Sequence, residues 1–407
     1  MARYYTNNNF FRQMPNALLA RYFQTHRLFG DLDFSAMKEG KPDALFEAWR
    51  TLSEAQRNGM DAEFRDIFDM SCEKGFRAMI DEAEFQMDED EFTIWVEKLS
   101  GLPSHFDRAM LVYLDHNACW KGATRFYHAD TLSYWRKRKN LPQKKAETDD
   151  DSIQELAGRI RTYFHHTEGR GNNCVVEPFR RGELEYFFAY PEDYSQQSSE
   201  WVNGEFAHRP HNPAFEVIFV YSGKEGSLDL YFRGSYKAIE PLQSMFATAI
   251  LKLDKLPPDP KDARIYDLAP LLQKSFDFAP AVGSGIENVV VKKLRLSSRE
   301  KKGDRITLEA DTSENQDAVY ILLDQIRGSL PLNMYNVTQV ELAASVVVDA
   351  DKPAKQVTFR ITYPNSCSLK YDELDLKLRD MLEASGIEPK EPKEEVGAVE
   401  ALVRAEA

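Results

Sequence analysis

"AFEVIFVYSGKEGSLDLYF", residues 214–232, decides how the second half of the chain is read. Two runs rich in β-branched and aromatic residues, 214–221 and 227–232, flank the polar segment Ser222–Gly226. Runs this short suit strands better than a core helix, and glycine admits the turn conformations that reverse a chain, so the pattern predicts an antiparallel hairpin. The Gly-Lys pair inside the turn lacks the first half of a phosphate-binding GxxxxGK[ST] loop and sits between two strands, so an ATP site does not follow from it.

Working outward, "YKAIEPLQSMFATAILKL" at 236–253 returns to helical spacing, with Pro241 tolerated only in the first turns. Two more hairpins precede two more helices. "VVVKKLRL" and "RITLEA" flank "SSREKKGD" before the helix "DAVYILLDQIRG". "QVELAASVVVDA" and "QVTFRITY" flank "DKPAK" before "YDELDLKLRDMLEASG", which ends at Gly386. The hairpin–helix order thus occurs three times after residue 214. An earlier hairpin, "CVVEPF" and "ELEYFFAY" around "RRG", stands at 174–190. Isolated hairpins are marginal and must combine or pack on helices, which predicts mainly antiparallel sheets with helices on one face. No parallel βαβ pattern with a glycine fingerprint appears.

The first third is helical. Met60, Phe64, Ile67, Phe68, Cys72, Phe76, Met79 and Ile80 recur at spacings of three and four, predicting one amphipathic helix over 60–84 with Cys72 on its buried stripe. "MPNALLARYF", "DEDEFTIWVEKL", "SHFDRAMLVYLDHNACW" and "ATRFYHADTLSYW" add further helices, so a bundle of five or six is expected. His105, His116 and His128 are too far apart to share one helix face as metal ligands, and no HExxH is present.

The fold class expected is therefore α+β and multidomain: an N-terminal helical bundle, then mainly antiparallel sheets built from repeated hairpin–helix units. The boundaries read as a helical domain at 1–139, a charged linker at 140–151, α+β regions at 152–280 and 281–386, and an acidic flexible tail at 387–407. The linker follows the sharpest compositional switch in the chain. Arg136, Lys137, Arg138, Lys139, Lys144 and Lys145 are followed at once by Glu147, Asp149, Asp150 and Asp151.

A second segment attracts a functional reading. "RTYFHHTEGRGNNCVVEPFRRGE", 161–183, combines His165 and His166 with Cys174 and several arginines. As structure, it is a helix ending in two histidines, a glycine turn and a strand. As a site, His165, His166, Arg170, Arg180 and Arg181 would bind phosphate together with Arg136–Lys145. A third version pairs an imidazole with a Cys174 thiolate. Glu216 and Asp229 fall on strands, yet no lysine is placed to complete a nuclease centre.

The formal net charge of -14 argues against a general nucleic-acid coat while leaving local basic patches open. The N-terminal residues lack the pattern of a secretory signal, no apolar run suggests a membrane span, and four scattered cysteines suggest neither disulfides nor a zinc ribbon. A cytoplasmic protein with no membrane association is expected. These features predict a non-enzymatic regulatory, adaptor or scaffold protein with a protein partner. The alternatives are a DNA- or RNA-binding subunit using the basic residues named above, and a hydrolase or nuclease with a composite site near His165 and His166. No catalytic residue, metal or cofactor is assigned, and enzymatic activity is left open.

Overall fold

The computed structural model of the protein describes residues 4–202, 204–258, 265–301, 303–349 and 352–388. Its contacts divide the chain into two units, Met1–Ser133 with Leu141–Pro257, and Tyr134–Asn140 with Pro258–Ala407. The architecture is α+β, a helical region followed by mainly antiparallel sheets with interspersed helices.

The first unit begins with α1 (Asn7–Gln13), α2 (Asn16–Thr25), α3 (Asp43–Thr51), α4 (Glu54–Met70), α5 (Glu73–Gln86), α6 (Glu89–Ser100), α7 (His105–Asp115) and α8 (Asn117–Thr131). Phe64 is the hub of its aromatic core. Its ring centroid lies 4.7 Å from Phe10, 4.8 Å from Tyr22 and 5.4 Å from Trp49. Aromatic rings this close add to simple area burial through their edge and face charges. The expected helix over 60–84 is in fact two. Ser71 donates its hydroxyl to Ile67 O, and Cys72 caps α5 by accepting from Gly75 N. The chain crosses itself tightly there, since a Cβ on Gly75 would lie 2.0 Å from Met70 O. Periodicity carries across the break because both helices bury the same side. Cys72 is thus a cap and only half-buried, and the described helices before β1 number eight rather than five or six.

Strand β1 (Arg136–Arg138) belongs to the second unit. The first unit resumes with α9 (Asp150–Glu168), β2 (Cys174–Arg181), β3 (Leu184–Pro191), β4 (Gln196–Val202), β5 (Glu205–His211), β6 (Val217–Ser222), β7 (Ser227–Phe232) and α10 (Ile239–Ala249). Four of these strands run in the order β7-β6-β3-β2, each antiparallel to its neighbour. Phe187 pairs with Phe219, and Phe219 with Leu230. All three share a core with Leu156, Ile160 and Phe164 of α9 and Leu242 and Phe246 of α10. The opposite side chains meet the helical region, where Phe126 of α8 lies 5.2 Å from Tyr186. Every residue of β6 and β7 is buried. Strands without polar alternation need cover on both faces. Helices therefore flank this sheet on two sides, not on one as expected. The helical segment to Ser133 forms a single unit with 141–257, whereas the first α+β region was expected to run on to 280; Tyr266, Leu268 and Leu271 belong to the second unit's core instead.

The second unit contains β8 (Ile286–Ser298), β9 (Arg305–Glu309), α11 (Ala318–Arg327), β10 (Tyr335–Val346), β11 (Lys355–Thr362), β12 (Ser366–Cys367) and α12 (Glu373–Ala384). The strand order is β12-β11-β10-β8-β9, antiparallel throughout. Two hairpin–helix units meet at the central pair, with Leu342 opposite Val291. Val340, Leu342, Leu294, Leu296 and Ile361 share a core with Val319 and Leu323 of α11 and Leu378 and Leu382 of α12. Here the helices do cover one face, and the other carries mostly polar side chains, with Val290 and Ala343 as apolar exceptions. Ile387 and Glu388, expected at the start of a flexible tail, are buried. The rest of that tail, 389–407, lies outside the described residues.

Candidate functional site: a rooted ribbon

The histidine-rich segment is the root of a projecting structure. Asp149 caps α9 by accepting from Ser152 N, and Gly169 ends the helix in the left-handed conformation, φ 69°. Gly171 follows at φ 83°, where a Cβ would press Phe164 Cβ at 3.0 Å. These two turns aim Arg170 inward. Its guanidinium lies 3.9 Å from the Phe215 ring centroid and donates to Asp193 Oδ1 at 2.8 Å and Glu168 Oε2 at 2.8 Å. Burial works against the charge, but Asp193 and Glu168 outweigh it and raise the Arg170 pKa.

Around Arg170 the backbone is stitched closely. Gly171 N donates to Glu192 O at 2.8 Å, Glu192 N to Asn173 O at 2.8 Å, and Asp193 N to Pro213 O at 2.7 Å. Tyr194 donates its hydroxyl to Glu168 O. The Glu192 carboxylate accepts from Asn212 at 2.5 Å and Asn173 at 2.7 Å, and those bonds lower its pKa. Between them lies an open depression of about 350 Å³, lined by Asn173, Cys174, Tyr190, Glu192, Asn212 and Pro213.

From this root β4 and β5 leave as a two-stranded ribbon that joins neither larger sheet. Trp201 is directly opposite Phe206, with ring centroids 5.6 Å apart. The pair stands near the turn and is exposed, 66% for Trp201 and 54% for Phe206. On the same face His208 Nδ1 meets Ser199 Oγ at 3.0 Å. Glu200, Glu205 and Arg209 are the ribbon's Asp, Glu, Lys and Arg complement, so it is not polycationic.

The residues singled out in the sequence are dispersed. His165 and His166 are exposed at the end of α9, and His165 Nδ1 meets Asn172 Oδ1 at 3.1 Å. Burial pushes the Cys174 thiol up to about 12, leaving it protonated and a poor nucleophile near neutrality. Among the described residues, neither imidazole is hydrogen-bonded to that thiol. Arg181 is buried and donates to both oxygens of Asp130 at 3.0 Å and to Asp81 at 2.7 Å, tying β2 to α5 and α8. Arg180 donates to Gly182 O at 3.0 Å.

The basic run is largely built in. Lys137 and Arg138 are buried, and Arg136 is half-buried beside them in β1. Lys137 and Lys139 grip Glu388 at 2.9 and 3.1 Å. Burial opposes the Glu388 charge, yet Lys137, Lys139 and Arg379 hold its pKa at about 2. Lys144 donates to Leu251 O at 3.0 Å, and Lys145 is exposed. The segment expected as a solvated linker is anchored, because Leu141 and Ala146 are buried and Tyr221 donates to Pro142 O at 2.6 Å.

His128 pairs with Glu216 at 2.9 Å and His105 with Arg108 at 3.2 Å, so these histidines do not converge. Among the described residues no group of His, Cys, Asp and Glu could hold a metal ion, and no helix is long and apolar enough to cross a membrane. No protein-family model matches the chain, and no curated protein is found similar to it.

Proposed function

We propose that the protein is a non-enzymatic adaptor or scaffold that captures a protein partner through the tip of the β4–β5 ribbon. The observation that carries this reading is the exposed Trp201–Phe206 pair on a ribbon whose root is fixed by Arg170. Tryptophan and other large aromatics dominate binding energy at protein interfaces. The exposed parts of the two rings amount to roughly 250 Å², or about 6 kcal/mol before the cost of association. A rooted arm loses less conformational freedom on docking than a free loop would. We place the protein in the cytoplasm, in line with cysteines that stand as free thiols.

The basic candidates weigh against the nucleic-acid alternative at those positions. Lys137, Lys139, Arg170 and Arg181 already hold carboxylates. The experiment is affinity capture from native extract, comparing wild type with W201A/F206A, each with and without nuclease. A discrete protein retained after nuclease and lost from the double variant supports the reading. The same set captured by both chains, or capture abolished by nuclease, counts against it.

A further inference from the structure

The open face of the second unit's sheet carries an arginine cluster. Register places its side chains in rows across the strands. Arg305 is opposite Ser297, which is opposite Asn336. The next row runs Thr307, Arg295, Gln339, Thr362, and the next Glu309, Lys293, Glu341, Arg360. No apolar side chain stands in these three rows. Their neighbours Leu294, Leu296, Val340 and Ile361 point to the helix-covered face and are buried.

The charges on this face do not cancel. Lys293 binds Glu309 at 2.6 Å, and Arg360 binds Glu341 at 2.8 Å. Both acids of the rows are thereby occupied. Among the described residues Arg295 and Arg305 hold no carboxylate. Arg295 donates only to Thr338 Oγ1, at 3.4 Å, and Thr338 also meets Ser297 Oγ at 2.8 Å. Arg299, just after β8, donates to Asn336 Oδ1 at 2.8 Å. Partial burial, then the nearby Arg305 and Arg360 charges, lower the Arg295 pKa, so Arg295 has a like charge on either side of it. Arg295 and Arg305 are diagonal neighbours on adjacent strands, about 7–8 Å apart at Cα. Like charges left together without counter-charge favour an anionic ligand that bridges them.

We propose that this face binds the sugar–phosphate backbone of single-stranded nucleic acid, with Arg295, Arg299 and Arg305 as its phosphate contacts. Guanidinium forks match phosphate oxygens, and Ser, Thr, Asn and Gln supply the further backbone hydrogen bonds typical of such complexes. A protein partner would want an apolar centre that these rows lack. A duplex is read by an element entering a groove, whereas this surface is a sheet face across which one strand can lie. With no aromatic side chain in the rows for bases to stack on, binding is weak and insensitive to sequence. This proposal is independent of the ribbon, which belongs to the other unit.

The test uses the full chain and a fluorescein-labelled 20-nucleotide oligouridylate, read by anisotropy. Three phosphate contacts on a single strand predict a slope of log K against log salt of about -2. R295Q/R305Q should weaken binding at least tenfold at 50 mM salt and reduce the slope to about -0.7. R295K/R305K should stay within about threefold of wild type, separating charge from fold. The proposal is overturned by no binding at 100 µM protein in 50 mM salt, by an unchanged slope in R295Q/R305Q, or by tighter binding of a 20-base-pair duplex. Loss of acidic-vesicle binding in R295Q/R305Q, with no oligonucleotide binding by wild type, would overturn it equally.

Discussion

Replacing Arg170 with alanine removes the centre of the ribbon's root. The side chain is 14% exposed, and its partners Asp193 and Glu168 are 19% and 24% exposed. Removing one member of a fully buried ion pair costs about 3–5 kcal/mol, because the remaining charge is left without compensation. These partners reach solvent, so the cost is discounted to about 2–3 kcal/mol including the lost stacking on Phe215. The loss falls mainly on local opening, since Asp193 begins the path into β4 and Tyr194 is held to Glu168 O. A local cost of about 2 kcal/mol speeds hydrogen exchange roughly 30-fold when opening is in rapid equilibrium. The assay is native-state exchange on peptides spanning 196–211, with 217–232 as the internal control. Ribbon peptides should lose protection while the control changes far less. R170K, which keeps charge but loses the planar fork, should fall between. Equal loss in both segments, or none in the ribbon, would refute the assignment of Arg170 as the ribbon's anchor.

Other parts of the first unit give independent checks. Arg181→Ala should lower stability by about 3–5 kcal/mol, seen as a lower denaturant midpoint with unchanged slope, because Asp130 is left buried without its cation. Gly122→Ala should cost about 1–3 kcal/mol by overpacking, since its Cβ would lie 2.2 Å from the Glu82 carboxyl carbon, and adding Glu82→Ala should recover part of the loss. Burial raises the Glu82 pKa from 4.5 to about 7, with the Gln86 hydrogen bond opposing. The unfolded chain therefore releases this proton at lower pH than the native chain, and Glu82's contribution declines as pH rises from about 4.5 to about 7. Urea midpoints should show Glu82→Gln gaining on wild type across that window. Parallel midpoint curves would remove Glu82 from the account.

The hairpins and helices of 174–190 and 214–386 were legible because apolar runs, polar turns and helical spacing agreed at each step. Where one physical signal stood in for two structures, the reading slipped. The stripe from Met60 to Ile80 is continuous although Ser71 and Cys72 end one helix and begin another. Burial on both faces of β6 and β7 was written in "VIFVYS" and "SLDLYF", yet continuous apolar runs do not say which helices supply the cover. The ribbon was missed for the opposite reason. Its strands are polar and exposed, so no alternation marks them. The dipeptide Asn203–Gly204 was the available signal, since Asn-Gly favours tight hairpin turns. Charge was the least legible quantity. Arg170, Arg181 and Lys137 looked like free cations because their carboxylates, Asp193, Asp130 and Glu388, lie far along the chain. Conversely, Arg295 and Arg305 were unremarkable in sequence, and only strand register gathers them.

The adaptor reading is tested most directly by photo-crosslinking in the native host, with benzoylphenylalanine placed at position 201 in one chain and at position 94 in another. Ile94 is 68% exposed, as accessible as Trp201, but lies on α6. Crosslinks from position 201 should concentrate in one other protein, survive nuclease treatment and disappear with Phe206→Ala. Position 94 should give no such product. The same products from both positions, or a second copy of this chain as the sole species captured from position 201, would contradict it.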